Sequence, residues 1–170
     1  MRVKKICTAV LISAILMSGC SAIPENSCEK PVFTMDCKLS VVQSEEEIVC
    51  HLNRTGPRMM DITVESPEEI QGLRFDWAGD GFSMVYAGIS TERGQCMLPE
   101  YGFAFLVADV LEVASVGEGL SMTGDCEYSG SVKGERFTLK VDPDTGWITK
   151  IDIPSKGVRI NLSEHTEKAT

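Results

Sequence analysis

The chain has 170 residues, of which 43% are hydrophobic, and a formal net charge of −9. A surface this acidic is repelled by phosphate backbones, anionic lipid and teichoic acid, which argues against nucleic acid binding or broad adhesion to such polymers. The length suits one domain able to bury a core of its own.

Met1-Arg2-Val3-Lys4-Lys5 is a short cationic head, followed by an apolar run from Ile6 to Met17 and the small pair Ser18-Gly19. That order reads as a secretory signal, and the run is too short to span a bilayer. Leu16-Met17-Ser18-Gly19-Cys20 resembles the bacterial lipobox, which implies cleavage before Cys20 and a thioether-linked diacylglyceryl group on its sulfur. Two or more acyl chains anchor stably where one does not. The signal takes three of the 16 lysines and arginines and none of the 25 acids, leaving the mature chain at a formal −12. Such a body is expected to stand off from the membrane face. Residues 20–33, rich in Ser, Pro, Glu and Asn, read as a lipidated, flexible tether.

Cys7 leaves with the signal and Cys20 is the lipid site, so Cys28, Cys37, Cys50, Cys96 and Cys126 remain. An odd count leaves at least one of them free or paired between chains, and the expected state is mostly buried thiols. No Cys-x-x-Cys occurs, and His51 and His165 are too few to complete a His/Cys metal set.

Period-two alternation begins near Val32. Cys37, Leu39 and Val41 form one face of a first strand, and Ile48, Cys50 and Leu52 one face of a second, with Ser44-Glu45-Glu46-Glu47 as the turn. Pairing across a tight turn near Gln43-Ser44 would set Cys37 opposite Cys50. Met60, Ile62 and Val64 then alternate, followed by Leu73, Phe75 and Trp77. Asp80-Gly81 reads as a hairpin turn into Phe82, Met84 and Tyr86. From Leu98 to Val116 the text is nearly continuously apolar, with Tyr101, Phe105, Ala108 and Leu111 on one helical stripe. Pro99-Glu100 suits its start, and Gly117-Glu118-Gly119 ends it. Alternation resumes at Met122, Cys126 and Tyr128, and crosses a turn at Lys133-Gly134 to Phe137, Leu139 and Val141. Asp142-Pro143-Asp144-Thr145-Gly146 is a turn by composition; final strands cover 147–153 and 158–162. The expected fold is mainly β: about nine antiparallel strands and one helix in a single domain over 34–164, with a polar tail at 165–170.

Catalytic signatures are missing. Gly81-Phe82-Ser83-Met84-Val85 lacks the second glycine of a nucleophile elbow. Asp142-x-Asp144-x-Gly146 lacks the remaining ligands of a calcium loop. His51 reads as a solvated residue on a strand's polar face, and His165 as part of the tail. The residues that invite a ligand are apolar: Phe75, Trp77, Phe82, Met84 and Tyr86, with Phe105 from the helix. They suit a lipid pocket or a filled core equally, since a flexible thioether adapts to either.

A strand Phe82-x-x-x-Tyr86-x-Gly88, a helix opening Leu98-Pro99-Glu100-Tyr101-Gly102-Phe103, and a hairpin Phe137-x-Leu139-x-Val141-Asp142-x-x-Thr145-Gly146 leading to Ile151-Asp152-Ile153-Pro154 carry a likeness. Over roughly Thr34 to Glu164 the chain resembles the LolA-like superfamily of envelope lipoproteins, which includes lipoprotein carriers and spore-germination lipoproteins. The resemblance implies a curved antiparallel half-barrel with helix on its concave face, where relatives hold acyl chains or acylated peptides, or bind proteins. Residues 21 to 33 are too few and too polar for the helix that usually precedes the first strand. A non-enzymatic, membrane-anchored extracytoplasmic binding module for a protein partner of the cell envelope is therefore the expected function. The alternative is a carrier of acyl chains, lipids or lipoproteins. The location follows from the anchor: the extracytoplasmic face of the cell membrane, or the outer membrane of a Gram-negative source. No cofactor or metal is expected. The helix from Phe103 to Leu111 should lie directly on the strands bearing Phe75, Phe82 and Phe137, with only small voids.

Overall fold

A computed structural model describes residues 28–79, 81–91, 102–117 and 119–166. The signal, Cys20, Asp80, Cys96, the 98–101 helix start and Glu118 lie outside the described residues. Eleven strands form one antiparallel sheet that does not close, in the spatial order β6-β5-β4-β3-β2-β1-β11-β10-β9-β8-β7. In chain order they are β1 (Met35–Gln43), β2 (Glu46–Gly56), β3 (Met59–Ser66), β4 (Arg74–Ala78), β5 (Gly81–Tyr86), β6 (Ile89–Ser90), β7 (Ser121–Gly124), β8 (Glu127–Val132), β9 (Glu135–Val141), β10 (Ile148–Ile153) and β11 (Val158–Ser163). The helix α1 (Phe103–Val116) connects β6 to β7, the two edges of the sheet. This fits the curved half-barrel with one helix that the resemblance implies. Two strands beyond the expected nine are short edge strands, β6 and β7.

Hairpin chemistry sets the register. Ser44 and Glu45 (φ 52° and 72°), Ala87 and Gly88 (50° and 81°) and Lys133 and Gly134 (49° and 84°) each place two successive residues at positive φ, as two-residue primed turns require. In the first of these hairpins the turn is Ser44-Glu45, one residue later than the sequence reading, and Glu46 and Glu47 belong to β2. Every pairing shifts accordingly: Cys37 faces Leu52 and Leu39 faces Cys50. Cys37 and Cys50 are therefore diagonal neighbours on the buried face, not an opposed pair. Gly81, expected in the turn, is likewise a strand residue paired with Ala78.

Because neighbouring strands alternate in direction, the β2–β3, β7–β8 and β9–β10 turns share one rim, here the near rim. The β1–β2, β5–β6 and β8–β9 turns occupy the opposite, far rim. The chain enters at the near rim. Cys28 is bridged to Cys126 in the β7–β8 turn, with Cα atoms 5.5 Å apart. The Glu29 amide donates to the Pro143 carbonyl at 3.0 Å and the Val32 amide to the Gly146 carbonyl at 2.8 Å. The reading of 28–33 as tether is corrected: this stretch is a strap held on the fold. Among the described cysteines Cys28 and Cys126 depart from the expected thiols by forming a disulfide, while Cys37 and Cys50 are buried free thiols as expected. Those two are inert, because burial pushes both thiols up to about 12, assisted by Asp36 for Cys37 and by Glu65 for Cys50.

Candidate functional site

The concave face is one continuous core in which α1 lies on the sheet. Leu39, Leu52, Phe137, Leu139, Ile148, Ile151 and Ile160 are fully enclosed, together with Val107, Ala108, Val110 and Leu111 of the helix. Alanines at 104, 108 and 114 keep the buried side of the helix slim, allowing its backbone close to the strands. Gly117, left-handed at φ 74°, caps the end. Of the expected stripe, Ala108 and Leu111 are enclosed and Phe105 is partly buried, while Tyr101 lies outside the described residues; Val107 and Val110 are enclosed as well, so the buried side is wider than one stripe. Gly130 faces Phe137 across β8 and β9; a Cβ there would stand 2.5 Å from the ring.

Among the described residues one charged side chain lies inside this face. Arg54 is 2% exposed. It donates to the Phe33 carbonyl at 2.8 Å, to Glu112 Oε2 at 3.2 Å and to Ser115 Oγ at 3.1 Å. Glu112 Oε2 also accepts from the Arg58 amide at 3.0 Å. One arginine thus ties the strap before β1, β2 and the second half of α1 together. Burial lowers the Arg54 pKa and Glu112 offsets this; a guanidinium remains charged regardless. Sequence reading missed this lock, although the signal was present, since Arg54 continues the inward parity of Cys50 and Leu52.

Five of the six apolar candidates come together at the other end of α1. Trp77 stacks on Phe82 at 5.2 Å between centroids, and Phe82 meets Phe105 at 5.7 Å. Phe75 meets Phe103 edge-on at 5.6 Å, and Met84 is paired with Phe75 across β4 and β5. Lys133 reaches over from the β8–β9 turn, its Nζ 3.9 Å from the Phe105 ring centre and 2.9 Å from Asp109 Oδ2. Phe75 and Phe82 are buried, whereas Trp77, Met84, Phe103 and Phe105 are only partly so. Tyr86 stands apart: its ring is exposed, and its hydroxyl donates to the Glu69 carbonyl at 2.8 Å.

The outer face of the sheet is polar. An open groove of about 300 Å³ is lined by Asn53, Asp61, Arg74 and Asp76, and another of about 450 Å³ by Ser121, Ser129, Ser131, Arg136 and Thr138. His51 is paired with Asp36 at 2.8 Å, so it is not a simply solvated ring. His165 is not a free tail residue either; its ring sits 4.3 Å from that of Trp147, and burial lowers its pKa. Asp142 Oδ1 accepts from the Asp144 and Thr145 amides and from the Thr145 hydroxyl, which closes the turn. The Thr145 hydroxyl in particular holds this carboxyl below its usual range. Among the described residues no cluster of His, Cys, Asp or Glu is built to hold a metal ion, and no helix is long and apolar enough to cross a membrane.

No protein-family model matches the sequence, and a search of curated proteins finds no match. Among solved structures the chain is similar to a LolA superfamily protein from Nitrosomonas europaea, at 10% identity, covering 88% of this chain and 93% of that one with a TM-score of 0.46. It is also similar to a DUF1329 family protein from Desulfovibrio piger, at 13% identity, covering 79% and 85%, with a TM-score of 0.38. The first of these belongs to the superfamily that the strand and turn pattern resembles.

Proposed function

We propose that this chain is an extracytoplasmic lipoprotein, anchored through Cys20, whose body is a non-enzymatic binding module for a protein partner of the cell envelope. The observation that carries the reading is the difference in closure along the concave face. Where α1 is locked by Arg54 the aliphatic side chains are fully enclosed, so a ligand lying along the whole concavity would have to displace the helix. The partly exposed aromatic end offers Trp77, Phe103 and Phe105, large rigid contacts of the kind that anchor protein interfaces. A second reading, an acyl-chain carrier, draws on the same end, because Met84 and the rings around it also suit an alkyl chain.

The experiment is a pair of measurements on protein from the native envelope. Cross-linking through position 105 should capture a protein, and extraction should release no lipid beyond that attached at Cys20. A stoichiometric extra lipid would put the carrier first. Cys20→Ser should release the protein from the membrane fraction or block its maturation. Retention of a cleaved, unlipidated chain would overturn the anchor.

A further inference from the structure

We propose that the near rim of the half-barrel faces the lipid bilayer and rests its exposed apolar side chains on it. The inference rests on the Cys20 anchor proposed above and goes beyond it, since an anchor alone leaves the body free to tumble. Two independent observations select this rim.

The first is where the tether ends. Cys20 and Cys28 are eight residues apart, a span of at most ~26–29 Å fully extended and ~15 Å on average for a flexible coil. Cys28 itself is fixed, because the bridge to Cys126 holds it in the β7–β8 turn. The strap that follows is pressed onto the β9–β10 turn, where a Cβ on Gly146 would collide with the Lys30 carbonyl. β1 has nine residues, so near and far rims are separated by ~30 Å at ~3.3 Å per residue. Turning the far rim to the bilayer would need the tether stretched to its limit, at a large cost in chain entropy.

The second is the distribution of exposed apolar side chains. Met59, 55% exposed, follows the β2–β3 turn, and Val116, 63% exposed, ends α1. The bond from the Arg58 amide to Glu112 holds that turn against the end of the helix. Val32, 37% exposed, lies in the strap that Arg54 grips through Phe33. The charged groups of this rim have mixed sign with an acidic excess: Lys30 and Arg58 with Glu29, Asp125, Asp142 and Asp144. At a formal −12 the whole body is repelled from anionic lipid only over about a Debye length, ~8 Å in physiological salt, so contact is expected first with zwitterionic surfaces. Ile89, 76% exposed, and Tyr86, 40% exposed with its hydroxyl tied to the Glu69 carbonyl, lie at the far rim and then point away from the membrane.

The test uses the full lipidated protein in phosphatidylcholine vesicles, with a benzophenone amino acid at position 59, 116 or 89. All three side chains are exposed, so the fold should tolerate the replacement. Lipid adducts at 59 and 116 should exceed those at 89 by about tenfold, as expected when apolar groups are held at the interface. Equal labelling, or an excess at 89, overturns the orientation while leaving the anchor standing. A chain whose mass shows no lipid, or that fails to join the vesicles, overturns the anchor and the orientation together.

Discussion

The two ends of the concave face solve the same problem with different side chains. Along the Arg54 end, branched aliphatic residues interdigitate with a helix narrowed by alanines, and Leu39, Leu52, Val107 and Leu111 lose all contact with water. At the other end, rings and methionine meet rings, and Trp77, Met84, Phe103 and Phe105 keep part of their surface solvated. Aliphatic groups of matched volume reach crystal-like density, whereas a few large rings meeting at tilted angles leave edges exposed. The closed end can therefore serve as the rigid support, and the aromatic end as the adaptable surface. A partner or an acyl chain would meet the second without disturbing the first.

The largest effect that would sharpen this contrast is a cavity at the closed end. Leu111→Ala should cost about 2–5 kcal/mol, the range for deleting a fully buried leucine. Phe105→Ala removes a bigger side chain and should still cost only about 1–2 kcal/mol, because that ring is only partly buried. Urea unfolding of the two variants makes the comparison, and equal costs would show that the aromatic end is ordinary core. Next in size is Arg54→Ala, which leaves the Glu112 carboxylate without its partner and should cost about 3 kcal/mol. Combining Arg54→Met with Glu112→Leu should recover most of that loss. A double variant no better than the single one would mean that the lock acts through the Phe33 carbonyl instead. Gly130→Ala comes third, at about 1–3 kcal/mol for forcing a methyl against the Phe137 ring; a silent substitution would show that this part of the closed end has room to yield.

Much of the closed end was legible in the text, because its strands alternate strictly and a buried face cannot tolerate a register of the wrong parity. Leu39, Leu52, Ile62, Phe137 and Leu139 all sit where the alternation puts them. What the text concealed was long-range or turn-specific. The Cys37–Cys50 register hinged on Ser44 and Glu45 adopting positive φ, which neither residue signals as glycine or asparagine would. The Cys28–Cys126 bridge joins residues 98 positions apart, a distance over which composition says nothing. Edge strands β6 and β7 were too short to show a period. Of the aromatic candidates, Tyr86 keeps the inward parity of Phe82 and Met84 but lies at the end of β5, beyond the reach of the helix, and finds the Glu69 carbonyl instead.

The smallest expected effect tests whether the closed end also depends on a titrating group. His165 lies against Trp147, which pairs with Val32 of the strap, and its Nε2 is buried without a partner. Desolvation disfavours the imidazolium and lowers the pKa in the fold. The unfolded chain therefore binds the proton more readily, and stability must rise with pH across the interval between the two values. Stability contributed by the neutral ring is fully present above the ordinary histidine range, near ~6.5, and is lost as pH falls from there through the folded value. The melting temperature should accordingly be lower at pH 5.5 than at pH 7.5, and the difference should shrink in His165→Phe, which keeps a ring against Trp147 but cannot titrate. An unchanged pH dependence in His165→Phe would remove His165 from the support of the strap and leave that task to the disulfide and the Gly146 contact.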